Sequence, residues 1–392
     1  MSPFVAIVLA SALARLGYQM ARSPVLPQFA QDLGAAPEMI GVIVGASTAT
    51  GVFFKLPSGA LSDVLGRKRM MLLGGLFFAV PPFLYPFVAD AGQLLALRFV
   101  HGFATAIFSP VAAAYVAAIA REGRGARLGW FSSANDLGAT AGPLIGGLVL
   151  YAAGEFVTPY LLVGALGIAA LVMVLFVPEP RAEPTPGAMS FADRSRQFWQ
   201  GLREVAATRT ILAASAIEAV MYLGFGAFLG FLPLYAKANG LNDAEIAVVL
   251  AAELAIAVVA KPVAGRASDR IGRVPVIVIG LALCAVALPL IFRADGFVPL
   301  LAVAPLLGLG VAAVTPVTNA LIADLAQERH LGAAMGVFGT IWDVGEAAGP
   351  ILAGILIARI GYAPAFDILA AATAAAALAS ALFVRDPRRA PA

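Results

Sequence analysis

Charge is scarce in this sequence: Asp, Glu, Lys and Arg make up 12% of its 392 residues, about half the share of a soluble domain. So little charge argues against a soluble globular enzyme, and the high apolar content argues against disorder. A single cysteine, Cys284, excludes an intrachain disulfide. With one Cys, two His and no H-E-x-x-H, the chain offers no metal-catalytic constellation, and no metal or other cofactor is expected. The phosphate-binding pattern G-x4-G-K-[ST] is also absent, which argues against ATP as the energy source. A net charge of +3 is too small to point to nucleic acid. Lysine supplies only four of the 26 basic residues, and alanine is abundant, a composition in keeping with a high-GC bacterium.

What the chain has in quantity is apolar surface. Hydrophobic residues are 61% of it and the mean hydropathy is +0.90. Its 40 Gly and 26 Pro also fit, because both are commoner in membrane helices than in soluble ones. A membrane helix needs about 20 predominantly apolar residues. Twelve stretches qualify: 4–30, 38–59, 70–89, 92–119, 126–153, 157–178, 210–236, 243–264, 274–293, 297–325, 332–358 and 363–385. The first lacks a basic leader, and its apolar run continues to Pro27, so it reads as a span and not as a cleaved signal.

Between spans 6 and 7, residues 179–209 carry Pro180, Pro184, Pro186 and five Arg, and read as a solvated linker. The expected organisation is a six-span bundle over 1–178, the linker, and a second bundle over 210–392 with a short tail. Basic residues orient the spans. With the N-terminus inside, 18 Lys and Arg fall in cytoplasmic segments and three outside, Lys237, Arg293 and Arg359. Both termini are therefore expected in the cytoplasm.

The sequence repeats itself. Gly59-Ala-Leu-Ser-Asp63-Val-Leu-Gly66-Arg67 recurs as Gly265-Arg-Ala-Ser-Asp269-Arg-Ile-Gly272-Arg273, an offset of 206. Pro27 and Pro233 share that offset, as do Pro110 and Pro316, and Gly138, Gly142 and Pro143 recur one residue later as Gly345, Gly349 and Pro350. An offset of six spans makes the halves parallel repeats.

These motifs resemble those of the major facilitator superfamily. Gly59, Leu61, Asp63, Gly66, Arg67 and Lys68 match its G-x-L-x-D-x-x-G-R-K signature after span 2. Arg98 and Gly102 match the R-x-x-Q-G motif of proton-coupled members, with His101 replacing Gln. Gly129, Gly138, Gly142, Pro143, Gly146 and Gly147 complete the antiporter motif on span 5, and span 11 carries nearly the same pattern. The resemblance implies an all-α membrane protein of 12 transmembrane helices in two parallel-repeat six-helix bundles, with a substrate site near mid-membrane. It also implies a 12-helix drug:proton antiporter working as a monomer in the bacterial inner membrane. Its partners would be a small-molecule substrate, protons and the lipid bilayer.

Physical chemistry gives each motif a task. Gly59, Asp63, Gly66 and Arg67, with Gly265, Asp269, Gly272 and Arg273, read as paired cytoplasmic latches, in which the carboxylate pairs locally with basic neighbours and favours a helix N-terminus. The alternative is a solvated loop that only sets topology. The small-xxx-small steps of span 5 permit close helix packing and Pro143 bends the helix. The sharper reading is a hinge or seal that favours exchange over leak.

Charges inside spans cost about 2.5–3.5 kcal/mol at a helix centre and mark functional positions. Arg15, Asp136, Glu218, Glu253, Asp343 and Glu346 lie near span centres, with Arg98 nearer one end. Five acids against two bases suit a cation, a proton or both. Helical phase places Arg15, Tyr18, Gln19 and Arg22 on one face of span 1, and Arg98, His101, Thr105 and Ser109 on one face of span 4. Glu218, Tyr222 and Phe225 share a face of span 7, and Thr315, Thr318 and Asn319 cluster on span 10. The resemblance implies that spans 1, 4, 7 and 10 line the cavity, so these are the expected substrate contacts.

Glu218 is the leading proton carrier, against a structural pairing with Arg15 or Arg22. Asp136, Asp343, Glu346, Glu253 and Arg98 are further coupling candidates, with helix-interface hydrogen bonding as the alternative for the acids. His101 either orients Arg98 or carries a proton. The expected function is export of amphipathic, possibly cationic, compounds in exchange for protons. Competing readings are an exporter of sugars, metabolites or metal ions, a lipid flippase, and, more remotely, a non-transporting membrane receptor. A membrane enzyme would need a nucleophile–base or metal set that the sequence lacks. An anionic substrate would require Arg15, Arg22 and Arg98 to converge.

Overall fold

The computed structural model describes residues 2–119, 124–179, 208–326 and 331–384; at 60, 63, 124, 125 and 331–333 only the backbone is described. Twelve helices among these residues are long and apolar enough to cross a membrane: Pro3–Asp32, Pro37–Gly59, Arg67–Phe87, Ala91–Ile119, Ala126–Ala153, Val157–Leu175, Arg209–Ala238, Asp243–Ile271, Arg273–Ile291, Phe297–Leu325, Ala334–Ile360 and Tyr362–Phe383. They are spans 1 to 12 below. Each coincides with an expected stretch, and the chain is an all-helical membrane protein.

Local chemistry sets the helix ends. Span 1 begins with Pro3 in the first turn, where its missing N–H costs nothing, and the Ser2 hydroxyl accepts from Val5 N at 3.3 Å. Spans 4 and 8 open on reciprocal caps. Gln93 N donates to Asp90 Oδ1 and Ala89 N to Gln93 Oε1, both at 2.9 Å. Glu245 N donates to Asn242 Oδ1 at 3.0 Å, and Asn242 N to Glu245 Oε2 at 2.9 Å. Span 3 departs from a plain helix. It ends in a 3₁₀ segment, Pro81–Phe87, because Pro81, Pro82 and Pro86 cannot donate α-helical hydrogen bonds.

The motif expected as a loop between spans 2 and 3 is almost entirely helical. Span 2's helix runs on to Leu65 and the next begins at Arg67. Gly66 alone makes the turn, at φ +96°, and Gly272 does the same in the repeat at φ +103°, a conformation that L side chains avoid.

The chain forms two compact units, Met1–Ala35 with Val42–Phe191 and Asn242–Ala247, and Ala36–Gly41 with Ala192–Leu241 and Val248–Ala392. In the first, span 1 packs chiefly on spans 5 and 6, and span 3 on spans 4 and 6. In the second, span 7 packs chiefly on span 11, and span 9 on spans 10 and 12. Main partners thus correspond at a shift of six spans, as parallel repeats require. Of the linker expected at 179–209, residues 180–207 lie outside the described residues, as does the tail from 385 onward.

Candidate functional site

Each unit contains a buried polar cluster at membrane depth, and the two differ in charge. In the first unit the centre is Arg98, fully buried on span 4. Its Nη2 donates to Ser47 Oγ at 2.7 Å and its Nη1 to Tyr85 Oη at 3.3 Å. The guanidinium carbon stands 5.6 Å from the Tyr18 ring centroid, a cation–π distance. His101, one turn along, meets Tyr85 Oη through Nδ1 at 3.1 Å and the edge of Tyr18 at 5.4 Å between centroids. Tyr85 in turn stacks on Tyr160 at 3.9 Å. Arg22 and Thr105 also lie beside Tyr18. Arg98 makes no ion pair among the described residues, and Arg98 Nε, His101 Nε2 and Tyr160 Oη are buried without a hydrogen-bond partner.

In the second unit the charge is negative. Glu218, 1% exposed, lies beside Thr318 with its Oε2 unpartnered. Tyr222, one turn on, is surrounded by Glu218, Glu346, Thr315 and Asp343. Asp343 and Glu346 on span 11 are both buried. The Tyr222 ring packs on Trp342 at 4.6 Å and on Phe225 at 6.0 Å. Asn319 is half-buried and donates to Thr315 O at 2.7 Å. Three carboxyl groups thus gather around an aromatic patch on spans 7, 10 and 11.

Several expected residues stand apart. Arg15 is half-buried and makes no hydrogen bond or ion pair among the described residues, so it takes no part in the Arg98 cluster. Gln19 is buried against span 5, facing Gly142, and so contributes to helix packing. Asp136 and Asp343, equivalent in sequence, differ in burial: Asp136 is half-buried and Asp343 only 3% exposed. Glu253 is fully buried away from the acidic cluster, beside Cys284 and Lys261.

The glycines of span 5 have a direct physical role. A Cβ at Gly138 would stand 2.6 Å from Ala12 O, one at Gly142 2.6 Å from Gln19 Cβ, and one at Gly146 2.9 Å from Met20 O. Gly147 would meet Pro24 Cγ at 3.1 Å. Pro143 sits inside this helix. Span 5 is therefore pressed against span 1, backbone to backbone. Gly129 faces open space and takes no part. Span 11 repeats the arrangement, with Gly345 against Ala219 O and Gly349 against Leu223 O of span 7. The glycines of this pattern therefore press helix on helix in both units.

The two repeated Gly-Arg turns are held partly by residues the sequence did not single out. Arg67 N and Lys68 N donate to the two carboxylate oxygens of Glu179 at 2.8 and 3.1 Å. The carboxylate caps the positive end of span 3. The Arg67 guanidinium donates to Ala114 O at 3.1 Å. The side chain of Asp63 lies outside the described residues. Gly59 and Gly265 face open space. In the repeat, Arg273 bridges Asp269 at 2.8 Å, Asp324 at 3.1 Å and Ser268 Oγ at 2.6 Å. Glu179, Asp324, Ser268, Ser47, Tyr85, Tyr160 and Trp342 were missed. Glu179 carried a signal, since it follows Pro178 at a span end; Trp342 did too, as the neighbour of Asp343. The others depend on contacts between distant segments.

Comparison with known proteins agrees with this architecture. A model of the Major Facilitator Superfamily matches residues 7–235 and 214–392. Multidrug resistance protein MdtG of Proteus mirabilis is 28% identical over 376 residues, covering 93% of this chain and 92% of that protein. Quinolone resistance protein NorA of Staphylococcus aureus is 24% identical over 346 residues, covering 85% and 84%. The crystal structure of a bacterial homologue of the human lysosomal transporter Spinster, inward-facing and unoccupied, superposes with a TM-score of 0.78 at 15% identity, over 97% of this chain and 95% of that one. It shares the fold. Twelve spans, two like-packed units, the repeated Gly-Arg turns and a family match along nearly the whole chain lead to one conclusion: the chain belongs to the Major Facilitator Superfamily of membrane transporters.

Proposed function

We propose that this transporter is a proton-coupled efflux antiporter that exports amphipathic, cationic small molecules by alternating access. The observation that carries the reading is the cluster of Glu218, Asp343 and Glu346 around Tyr222, Trp342 and Phe225. Buried carboxyls offer either a proton site or a counter-charge, and aromatic faces attract organic cations. A proton and a cationic substrate then compete for one negative cluster, which is the logic of exchange. The names of the two resistance-protein relatives support the same reading. Glu218 is the coupling acid, with Asp343 and Glu346 tuning it. Residues 1–178 and 210–392 act as the two moving halves, joined by 179–209, in a monomer of the bacterial inner membrane with both ends in the cytoplasm. One proton crossing 100 mV releases about 2.3 kcal/mol, enough for a roughly 40-fold gradient of a neutral substrate.

The test is proton release from purified protein on addition of ethidium in weakly buffered detergent. Release is expected from the wild type and is lost in Glu218→Gln. Unchanged release and unchanged pH dependence of transport in that variant refute the assignment. A second reading rests on Arg22 and Arg98 flanking Tyr18. Two of the three basic residues needed for an anionic substrate do come together. Transport of an anionic dye, lost in Arg98→Met, favours it.

A further inference from the structure

Glu253 has no place in the acidic cluster. It lies on span 8, about 15 Å of helix rise from the start of Asp243–Ile271, and is fully buried. Neither carboxylate oxygen has a hydrogen-bond partner among the described residues. A buried carboxyl in that position must be paired, coordinated or neutral.

Pairing is not available. The charged group that faces it is Lys261, eight residues on and about 12 Å further along the same helix. No ion pair joins the two among the described residues. Coordination fails on donor count. No group of three or more His, Cys, Asp or Glu able to hold a metal is present among the described residues, and a hard cation needs several oxygens. From span 9 the titratable neighbour is the Cys284 thiol. Span 10 contributes backbone: a Cβ at Gly308 would overlap the Glu253 carbonyl oxygen, and one at Gly310 would overlap Cys284 Sγ. Gly308 thus lets span 10 close directly on the backbone of span 8 at the acid, and Gly310 lets it close on span 9 at Cys284.

We propose that Glu253 is a second proton-binding site, separate from the Glu218 cluster, and that its proton locks span 8 onto span 10 at Gly308. With the proton on, the carboxyl is neutral and the helices can close over it. With the proton off, the carboxylate needs water, and water can reach it only if the contact at Gly308 opens. Proton occupancy and helix contact are therefore linked. The site deepens the proton-coupled reading and rests on it only for the driving force; protonation itself requires no transport.

The test is infrared difference spectroscopy of the purified full-length chain in detergent, stepped between acidic and alkaline pH. The wild type is expected to show a protonated-carboxyl band at neutral pH that persists in Glu218→Gln and Glu253→Asp and is lost in Glu253→Gln. A wild type without such a band, or the same band in Glu253→Gln, overturns the proposal. Gly308→Ala, which parts the helices, should lose the band at lower pH than the wild type does. An unchanged titration in that variant overturns the lock. A second measurement needs no mutation. Cys284 is the sole cysteine, so maleimide labelling reports water beside Glu253. Labelling should begin in the pH range where the band fades, and labelling with the band intact counts against the linkage. Failure of the ethidium test leaves these results standing, so the two proposals fail separately.

Discussion

Arg98 Nη2 donates to Ser47 Oγ at 2.7 Å, and no carboxylate pairs with this fully buried guanidinium among the described residues. The bond joins span 4 to span 2, and the Tyr85 contact extends it to the end of span 3. Removing both polar partners at once should cost little, because a buried charge without a counter-charge carries a desolvation penalty. The double substitution Arg98→Met with Ser47→Ala is expected to melt at the same temperature as the wild type or higher. Fluorescence-monitored thermal unfolding in detergent measures it. A fall of many degrees would mean that a counter-charge from elsewhere stabilises the guanidinium.

Span 5 provides a contrast within one motif. Gly138→Val places new atoms against Ala12 O, and such overpacking costs about 1–3 kcal/mol. Gly129→Ala meets open space and should stabilise the helix by about 0.5–1 kcal/mol. Parallel thermal melts of the two variants test the claim that the motif serves packing. Equal effects would contradict it.

Glu179 caps span 3 through two backbone N–H groups while remaining exposed. Glu179→Gln removes the charge but keeps the size, so the loss should be roughly 0.3–1 kcal/mol, shrinking as salt rises. Melting curves at low and high salt distinguish this from a loss of packing, which salt would not change.

At the second Gly-Arg turn, Arg273 meets two acids of unequal exposure, Asp269 at 56% and Asp324 at 29%. Screening weakens the more exposed pair. Asp324→Asn should therefore destabilise more than Asp269→Asn. The reverse order would make the local pair the stronger member.

Spans and repeats were legible in the sequence for a simple reason. Bilayer thickness fixes a run of about 20 apolar residues, so a hydropathy reading works without knowledge of packing. Glu218, Tyr222, Phe225 and Thr318 were legible too, because helical phase already puts the first three on one face of span 7. The reading weakened where a role depends on what a neighbouring helix presents. Asp136 and Asp343 are indistinguishable by position, yet only Asp343 is fully enclosed. Gln19 shares the face of Tyr18 but faces a glycine of span 5. Asp269 was legible as a partner of Arg273, since four residues make one helical turn. Asp324, 51 residues away, was not.

By itself, the sequence determined that this is a twelve-span membrane protein of parallel halves, because apolar run length and repeat offset are properties of the chain alone. The tertiary structure decided how its few intramembrane charges are used. It separates a basic tyrosine cluster around Arg98 from an acidic aromatic cluster around Tyr222, and it leaves Glu253 in neither. The physical reason is that a buried charge takes its meaning from the groups within a few ångströms of it. In a helical bundle, those groups come from segments far apart in the chain.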